Sequence, residues 1–269
     1  MMRPEPFFRE AGSGPAVVCI HANASTSSQW RDLMELLAPA CHVVAPDSYG
    51  AGKSPEWHSD RFISLADEVA LLEPVFERLP SPFTLIGHSY GAAVALKAAL
   101  ENSARLGALI LYEPTLFALI DASAPPPNPA DGIRDTVVAA SKLLDAGDRD
   151  SAARMFIDYW MGGGAWASTP ENRRRPIADS IVNLRRWGHA LFSEPATLDA
   201  FRKLDLPVLY MVGKRSPASA RRVASILMSA LPNARLVEFE ELGHMGPITH
   251  PAIVNAEIQR FLAPSGSRD

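Results

Sequence analysis

Apolar and polar positions alternate along the chain in two rhythms, one typical of buried strands and one typical of helices. Short continuous apolar runs predict strands at 16–20, 42–46, 84–88, 108–112, 206–213 and 234–239. Between them, apolar residues at helical spacing predict helices at 29–39, 61–79, 218–231 and 251–262, and one directly after residue 89. Strands that alternate with helices in this way predict an α/β fold with a mostly parallel central sheet flanked by helices.

The chain start and the second helix carry more local signals. Two apolar pieces within 6–20 are separated by Gly-Ser-Gly-Pro, which predicts a hairpin or a strand-turn-strand unit. Asp60 is the expected N-cap of helix 61–79. The buried face of that helix is expected to comprise Phe62, Leu65, Val69, Leu72 and Phe76.

No strand is predicted between 118 and 197. In this segment only helical patterns occur, at 132–146, 149–161 and 171–191. A helical segment inserted into an α/β pattern predicts a cap over the carboxyl edge of the sheet, where pockets form. We therefore expect a core domain of 1–117 and 196–269 with a helical cap inserted at 118–195. Trp160, Trp166 and Trp187 are candidate pocket walls, the alternative being that each is simple core.

Composition narrows the possible partners and compartment. The 269 residues are 47% hydrophobic and 21% charged, with a net charge of −4, which describes an ordinary globular protein and argues against nucleic-acid binding. The first residues lack the apolar segment of a signal peptide, and no run approaches the ~18 apolar residues of a membrane span. We expect a cytoplasmic protein with no membrane partner, in which Cys19 and Cys41 are free thiols. The oligomeric state is not determined by the sequence.

The segment Gly87-His88-Ser89-Tyr90-Gly91 joins a predicted strand to a predicted helix. Gly-x-Ser-x-Gly in this context is the nucleophile-elbow pattern, in which a tight, strained turn exposes the serine hydroxyl above the sheet. The two glycines are needed because a Cβ there would collide with neighbouring backbone.

A serine at such a turn needs hydrogen-bond donors for an oxyanion. The loop after strand 16–20, His21 to Ser25, ends opposite the elbow. The backbone N–H groups of Asn23 and Tyr90 are therefore the predicted oxyanion hole. His21 is interpreted as bracing its loop, and His88, next to the serine, as a pocket residue.

With these features placed, the chain resembles the α/β-hydrolase family over nearly its whole length. Gly87-His88-Ser89-Tyr90-Gly91 matches the family's nucleophile motif, and Gly243-His244 after the last strand matches its catalytic-histidine loop. The resemblance implies that Ser89 is the nucleophile and His244 the general base.

The acid of the triad departs from the family's commonest pattern. In many members it follows the penultimate strand, where this chain has Gly213-Lys214-Arg215-Ser216-Pro217 and therefore no carboxylate. Some members place the acid after the strand that follows the elbow helix, and Glu113 occupies that position. We predict Glu113 as the acid; the alternative is a Ser-His dyad in which Glu113 only braces its turn. Weaker candidates are Asp47, Glu240 and Glu241.

The leading functional prediction is a serine hydrolase that cleaves an ester-like or other carbonyl bond of a small to medium-sized, largely apolar substrate. The reaction is expected to pass through an acyl-enzyme on Ser89, with carbon-carbon bond hydrolysis as a variant. One alternative is a cofactor-free dioxygenase or lyase on the same scaffold. Another is a ligand-binding protein without catalysis. The sequence contains no metal-ligand constellation and no dinucleotide fingerprint, so no metal or cofactor is predicted.

Overall fold

The computed structural model describes residues 3–263, which form a seven-stranded sheet with helices on both faces. The strands in chain order are β1 Phe8–Ala11, β2 Ala16–Ile20, β3 His42–Pro46, β4 Phe83–His88, β5 Leu106–Tyr112, β6 Val208–Gly213 and β7 Ala234–Phe239. Their spatial order is β1-β3-β2-β4-β5-β6-β7, and every neighbouring pair is parallel except β1 with β3. The predicted mostly parallel α/β architecture is confirmed.

Both faces of the sheet are buried because the central strands are continuously apolar. The helices that cover them are α1 Arg31–Leu37, α2 Leu65–Glu77, α3 Tyr90–Asn102, α11 Ala218–Met228 and α13 Pro251–Leu262. Successive strand residues point to opposite faces. Val17 and Cys19 accordingly pack with α1 and α13, while Val18 and Ile20 pack with α2, α3 and α11. Cys19 and Cys41 are free thiols.

The two apolar pieces at the chain start are two strands joined by a turn, as the strand-turn-strand alternative predicted, but they do not pair as a hairpin. β1 pairs antiparallel with β3, with Phe8 opposite Pro46 and Ala11 opposite Val43. β2 cannot accept it, since β3 and β4 occupy both of its edges. The first strand therefore crosses to the outer edge of the sheet.

The predicted start of the second helix is also wrong. α2 begins after Ser64, whose side chain accepts the Asp67 N–H while the Asp67 carboxylate accepts the Ser64 N–H, a reciprocal capping box. Asp60 and Phe62 therefore precede the helix, and the Phe62 side chain is 51% exposed instead of buried.

Between β5 and β6 the chain contains helices and no strand. These helices are α4 Ala118–Ser123, α5 Asp131–Asp145, α6 Arg149–Met161, α7 Ala165–Ser168, α8 Glu171–Ser180, α9 Leu184–Phe192 and α10 Leu198–Arg202; we call residues 118–202 the helical insertion. The predicted single helix 171–191 is two helices joined by a 3₁₀ turn. The break separates α8, which buries no residue, from α9, which buries an apolar face.

Three further short helices are present: a 3₁₀ turn Ser27–Trp30 before α1, a 3₁₀ turn Ser103–Arg105 between α3 and β5, and α12 Gly246–Thr249 before α13. Among residues 3–263, no helix combines the length and the apolarity that crossing a bilayer requires.

Candidate active site

The predicted site residues meet at the carboxyl edge of the sheet because each follows a parallel strand there. Asn23 follows β2, Ser89 follows β4 and Glu113 follows β5. Ser216 follows β6 and His244 follows β7. Because the carboxyl ends of parallel strands share one edge, loops far apart in sequence become neighbours.

Ser89 lies on a sharp turn between β4 and α3. Its backbone has φ 56° and ψ −117°, a region that costs on the order of 1–3 kcal/mol for a residue with a side chain. A Cβ at Gly87 would lie 2.5 Å from the Ala92 Cα, and one at Gly91 would lie 2.3 Å from the Ile20 carbonyl oxygen. The two glycines therefore permit the turn that the motif predicts.

Three buried side chains form a continuous hydrogen-bonded chain at this turn. The Ser89 Oγ lies 2.9 Å from His244 Nε2, and His244 Nδ1 lies 2.6 Å from Glu113 Oε2. A carboxylate can only accept hydrogen bonds, so Nδ1 carries the proton and Nε2 is free to accept the serine proton. The structure thus brings together Ser89, His244 and Glu113.

The second oxygen of the Glu113 carboxylate is also held. Glu113 Oε1 accepts the Gly213 N–H and the Ser216 hydroxyl, each at 2.6 Å. The Glu113 backbone has φ 46°, so this residue, like Ser89, adopts a backbone conformation that is uncommon for residues other than glycine. The residue at the family's usual acid position therefore donates to a carboxylate supplied by a neighbouring strand.

The other carboxylates considered for this role lie elsewhere. Asp47 accepts the backbone N–H groups of Ser27 and Lys53 and so braces its own loop. Glu240 and Glu241 are exposed and pair with Lys214 and Arg215 respectively.

The two predicted oxyanion donors flank the serine. Asn23 borders the same cavity as Ser89. Tyr90 is the first residue of α3, where a backbone N–H has no partner within the helix. Across residues 3–263, the backbone N–H groups of Asn23 and Tyr90 make no hydrogen bond to the protein. Ala24, with φ 54°, sets the turn of the Asn23 loop.

A buried relay of hydrogen bonds joins the Asn23 loop to the His244 loop. The Gln29 side-chain oxygen accepts the Ala22 N–H at 3.1 Å, and its amide nitrogen donates to His88 Nδ1 at 3.1 Å. His88 Nε2 donates to the His244 carbonyl oxygen at 2.8 Å. Burial, followed by the neighbouring His244, lowers the pKa of His88 to about 3, so its ring is neutral. His88 is therefore part of the frame behind the site and does not border the cavity, contrary to the expectation.

Ser89 opens into a narrow cavity between the sheet edge and the helical insertion. Its free space is about 20 Å³, comparable with the space that one water molecule occupies. The lining is mainly apolar and consists of Asn23, Ser89, Thr115, Phe117, Ile133, Val137, Phe156, Trp160, Leu184, Trp187, Gly188, Leu191 and Phe192. Most of these residues belong to the insertion.

The three candidate tryptophans differ in position. Trp160 and Trp187 border the cavity. The Trp160 ring also stacks on the His244 imidazole, with ring centroids 3.9 Å apart. Trp166 does not border the cavity, because it is buried on α7 with its backbone N–H donating to Asp158. Its predicted role as a pocket wall is not supported by its position.

The Tyr90 side chain is hydrogen-bonded to a buried carboxylate, that of Glu68. Glu68 accepts the Tyr90 hydroxyl at 3.1 Å and the Tyr49 N–H at 3.2 Å. Burial raises the pKa of Glu68 from 4.5 to about 7, so this group titrates near neutral pH.

The buried His21 ring contacts the loop after β3. Its Nε2 accepts the Ser48 N–H, in line with its loop-bracing interpretation, and burial lowers its pKa.

Sequence reasoning missed three contributors to the site. The helical pattern places Gln29 only at the start of a predicted helix, and nothing local in the sequence indicates its contact with His88. The position of Ser216 indicates only that a carboxylate is absent there. Thr115, two residues after Glu113 at the end of β5, could have been found from that position.

Comparison with known proteins identifies the family of the chain. A family model for the alpha/beta hydrolase fold matches residues 15–251. The pimeloyl-[acyl-carrier protein] methyl ester esterase of Aeromonas hydrophila is 27% identical, over 93% of this chain and 96% of the relative. The lipase LipV of Mycobacterium tuberculosis is 30% identical, over 95% of this chain and 97% of the relative.

Solved structures share the fold. An alpha/beta hydrolase from Sphaerobacter thermophilus has a TM-score of 0.72 at 26% identity, covering 96% of both chains. An esterase from Exiguobacterium antarcticum has a TM-score of 0.77 at 20% identity, covering 96% of this chain and 95% of its own. The chain belongs to the alpha/beta hydrolase fold family, and it is an enzyme of the hydrolase class.

Proposed function

We propose that this hydrolase cleaves carboxylic esters of small, largely apolar acyl groups through an acyl-enzyme formed on Ser89. The observation that carries the proposal is the buried chain from the Ser89 hydroxyl through His244 to Glu113, at 2.9 and 2.6 Å. Relatives named as a methyl ester esterase and a lipase support ester chemistry.

The first half of the reaction acylates the serine. His244 Nε2 takes the proton as Ser89 Oγ forms a bond to the substrate carbonyl carbon. The imidazolium is stabilised by the Glu113 carboxylate. That carboxylate in turn accepts hydrogen bonds from the Gly213 N–H and the Ser216 hydroxyl. The carbon-oxygen bond to the alcohol then breaks, and His244 returns the proton to the leaving alkoxide.

The second half releases the acid. A water molecule gives its proton to His244 as it attacks the acyl carbon, and the proton then passes to Ser89 as the acyl bond breaks. In both halves the carbonyl oxygen becomes an oxyanion. The backbone N–H groups of Asn23 and Tyr90, which have no other partner in the described chain, are assigned to bind it.

The helical insertion acts in this proposal as the cap that selects the substrate, corresponding to the predicted cap at 118–195. Its apolar side chains line the cavity, so an apolar acyl chain fits its chemistry. Since the free space is about 20 Å³, comparable with one water molecule, the insertion or its side chains must move to admit any ester.

The test is covalent labelling with a fluorophosphonate, together with hydrolysis of short p-nitrophenyl esters. Wild-type protein is expected to be labelled on Ser89, and Ser89→Ala to lose at least about 10³-fold in kcat. Ser225→Ala is the matched control, because Ser225 is exposed on α11. Absence of labelling at Ser89, or equal esterase activity in Ser89→Ala, contradicts the proposal.

A further inference from the structure

The cavity beside Ser89 is bordered by a hydroxyl side chain that the proposed chemistry does not use. Within the described residues, Ser89 and Thr115 are the only lining residues that carry a hydroxyl. Ser89 is the proposed nucleophile, and Asn23 contributes its backbone N–H. Thr115 has no part in the acyl transfer.

The Thr115 hydroxyl is buried without a hydrogen-bond partner. The residue is 1% exposed, and its Oγ1 contacts no donor or acceptor within residues 3–263. An unpaired buried hydroxyl costs free energy that a valine of nearly the same shape would avoid. A role in the local turn does not account for it, since the turn uses the Thr115 carbonyl oxygen, which accepts the Phe117 N–H at 2.9 Å.

The position of Thr115 relates this hydroxyl to the acyl group. It follows Glu113 by two residues at the end of β5 and borders the cavity together with Ser89. In the proposed mechanism the acyl group stays attached to Ser89 between the two steps, whereas the alcohol departs. We therefore assign the cavity between the sheet edge and the helical insertion to the acyl group, and the hydroxyl of Thr115, which borders this cavity, reaches the acyl chain by rotating about χ1.

We propose that Thr115 is a specificity-determining residue that hydrogen-bonds an oxygen atom carried on the acyl chain of the substrate. The preferred substrates are then esters whose apolar acyl group bears one carbonyl, as in an oxoacyl chain. A buried polar group that loses its partner discriminates strongly against the unsubstituted analogue. This inference rests on the proposed esterase function and extends it to the substrate class.

The experiment compares methyl hexanoate with methyl 3-oxo-, 4-oxo- and 5-oxohexanoate, following acid release in a pH-stat. Wild-type enzyme is expected to prefer one oxo ester in kcat/KM. In Thr115→Val the ratio of kcat/KM for that ester to that for methyl hexanoate should fall by about tenfold. Thr115→Ser, which keeps the hydroxyl, should retain the ratio. Thermal unfolding of each variant verifies that it is folded.

Two results overturn the inference: no preference for any oxo ester in the wild type, or an unchanged ratio in Thr115→Val. If no ester is hydrolysed, the proposed function has failed, and binding decides the inference separately. Tryptophan fluorescence of Ser89→Ala then measures the Kd of the four esters, with and without Thr115→Val. Selective binding of an oxo ester that Thr115→Val abolishes supports the inference, and its absence contradicts it.

Discussion

The Ser216 hydroxyl donates a 2.6 Å hydrogen bond to the Glu113 carboxylate, in a pair of residues 103 positions apart. Ser216 stands where many family members carry the acid, and Glu113 supplies the carboxylate from the neighbouring strand. The loop after β5 thus provides the carboxylate and the loop after β6 provides one of its donors, with the carboxylate within hydrogen-bond distance of His244.

We predict that Ser216→Ala weakens catalysis without removing it. The substitution takes one of two donors from Glu113 Oε1 and leaves the Gly213 N–H in place. Hydrogen bonds to charged groups contribute about 1.5–3 kcal/mol, so kcat should fall by about 10- to 150-fold. Steady-state kinetics on a p-nitrophenyl ester measures the effect. A variant as inactive as Ser89→Ala, yet folded, would indicate a different role for Ser216.

A second prediction concerns moving the acid from position 113 to position 216. Glu113→Gln should lower kcat by about 10²–10⁴-fold, because an amide does not stabilise the imidazolium as a carboxylate does. Adding Ser216→Asp in the same chain should restore part of the loss. Glu241→Gln, at an exposed position, is the control. Full activity in Glu113→Gln would instead favour the Ser-His dyad.

The stacking of Trp160 on His244 leads to a third prediction. Trp160 comes from α6 of the helical insertion and limits the motion of the imidazole ring, with centroids 3.9 Å apart. Aromatic contacts contribute about 0.5–1.5 kcal/mol, so Trp160→Leu should lower kcat by about 3–10-fold. Trp166→Leu is the matched control, since Trp166 is outside the cavity. Equal effects of both substitutions on kcat would show that the loss comes from packing of the insertion alone.

A fourth prediction concerns the Gln29 relay. Gln29→Leu removes the hydrogen bonds to the Ala22 N–H and to His88, and so loosens both the Asn23 loop and the His244 loop. We expect kcat to fall by about 10-fold with a smaller change in KM. Ser28→Ala, on the exposed side of the same turn, controls for damage to α1. An unchanged kcat would mean that backbone packing alone holds the two loops.

The fifth prediction is a pH dependence of stability set by Glu68. Its pKa is about 7 in the folded chain against an ordinary value of 4.5, so the folded state binds more protons than the unfolded state between these values. The free energy of unfolding therefore falls as the pH rises from about 4.5 to about 7.

Glu68→Gln should remove this dependence. At pH 8 the variant should be more stable than the wild type by about 1–3 kcal/mol, whereas at pH 4 the difference should be small. Urea unfolding at the two pH values measures it. A variant less stable at pH 8 than the wild type would contradict the assignment.

The sequence by itself determined the sheet, the elbow and the order of the site loops. The apolar runs specify strands buried on both faces, and Gly87 and Gly91 permit one particular turn at Ser89, so these features depend on short stretches of chain. The predicted strands are present nearly at their predicted positions. The start of the second helix was not determined in this way: Asp60 is the expected cap, whereas Ser64 caps α2 through its reciprocal hydrogen bonds with Asp67.

Tertiary structure alone decided what holds the Glu113 carboxylate, which tryptophan contacts His244 and what holds the two flanking loops. Each of these contacts joins residues from separate strands or from the insertion: Glu113 with Ser216, Trp160 with His244, Gln29 with His88. Such contacts depend on the spatial order of strands and on the packing of α5, α6 and α9 over the sheet edge. Periodicity along one segment contains no information about either. For this reason the sequence could predict Ser89, His244 and Glu113, whereas the contacts of Ser216, Trp160 and Gln29 that hold these residues in place required the fold.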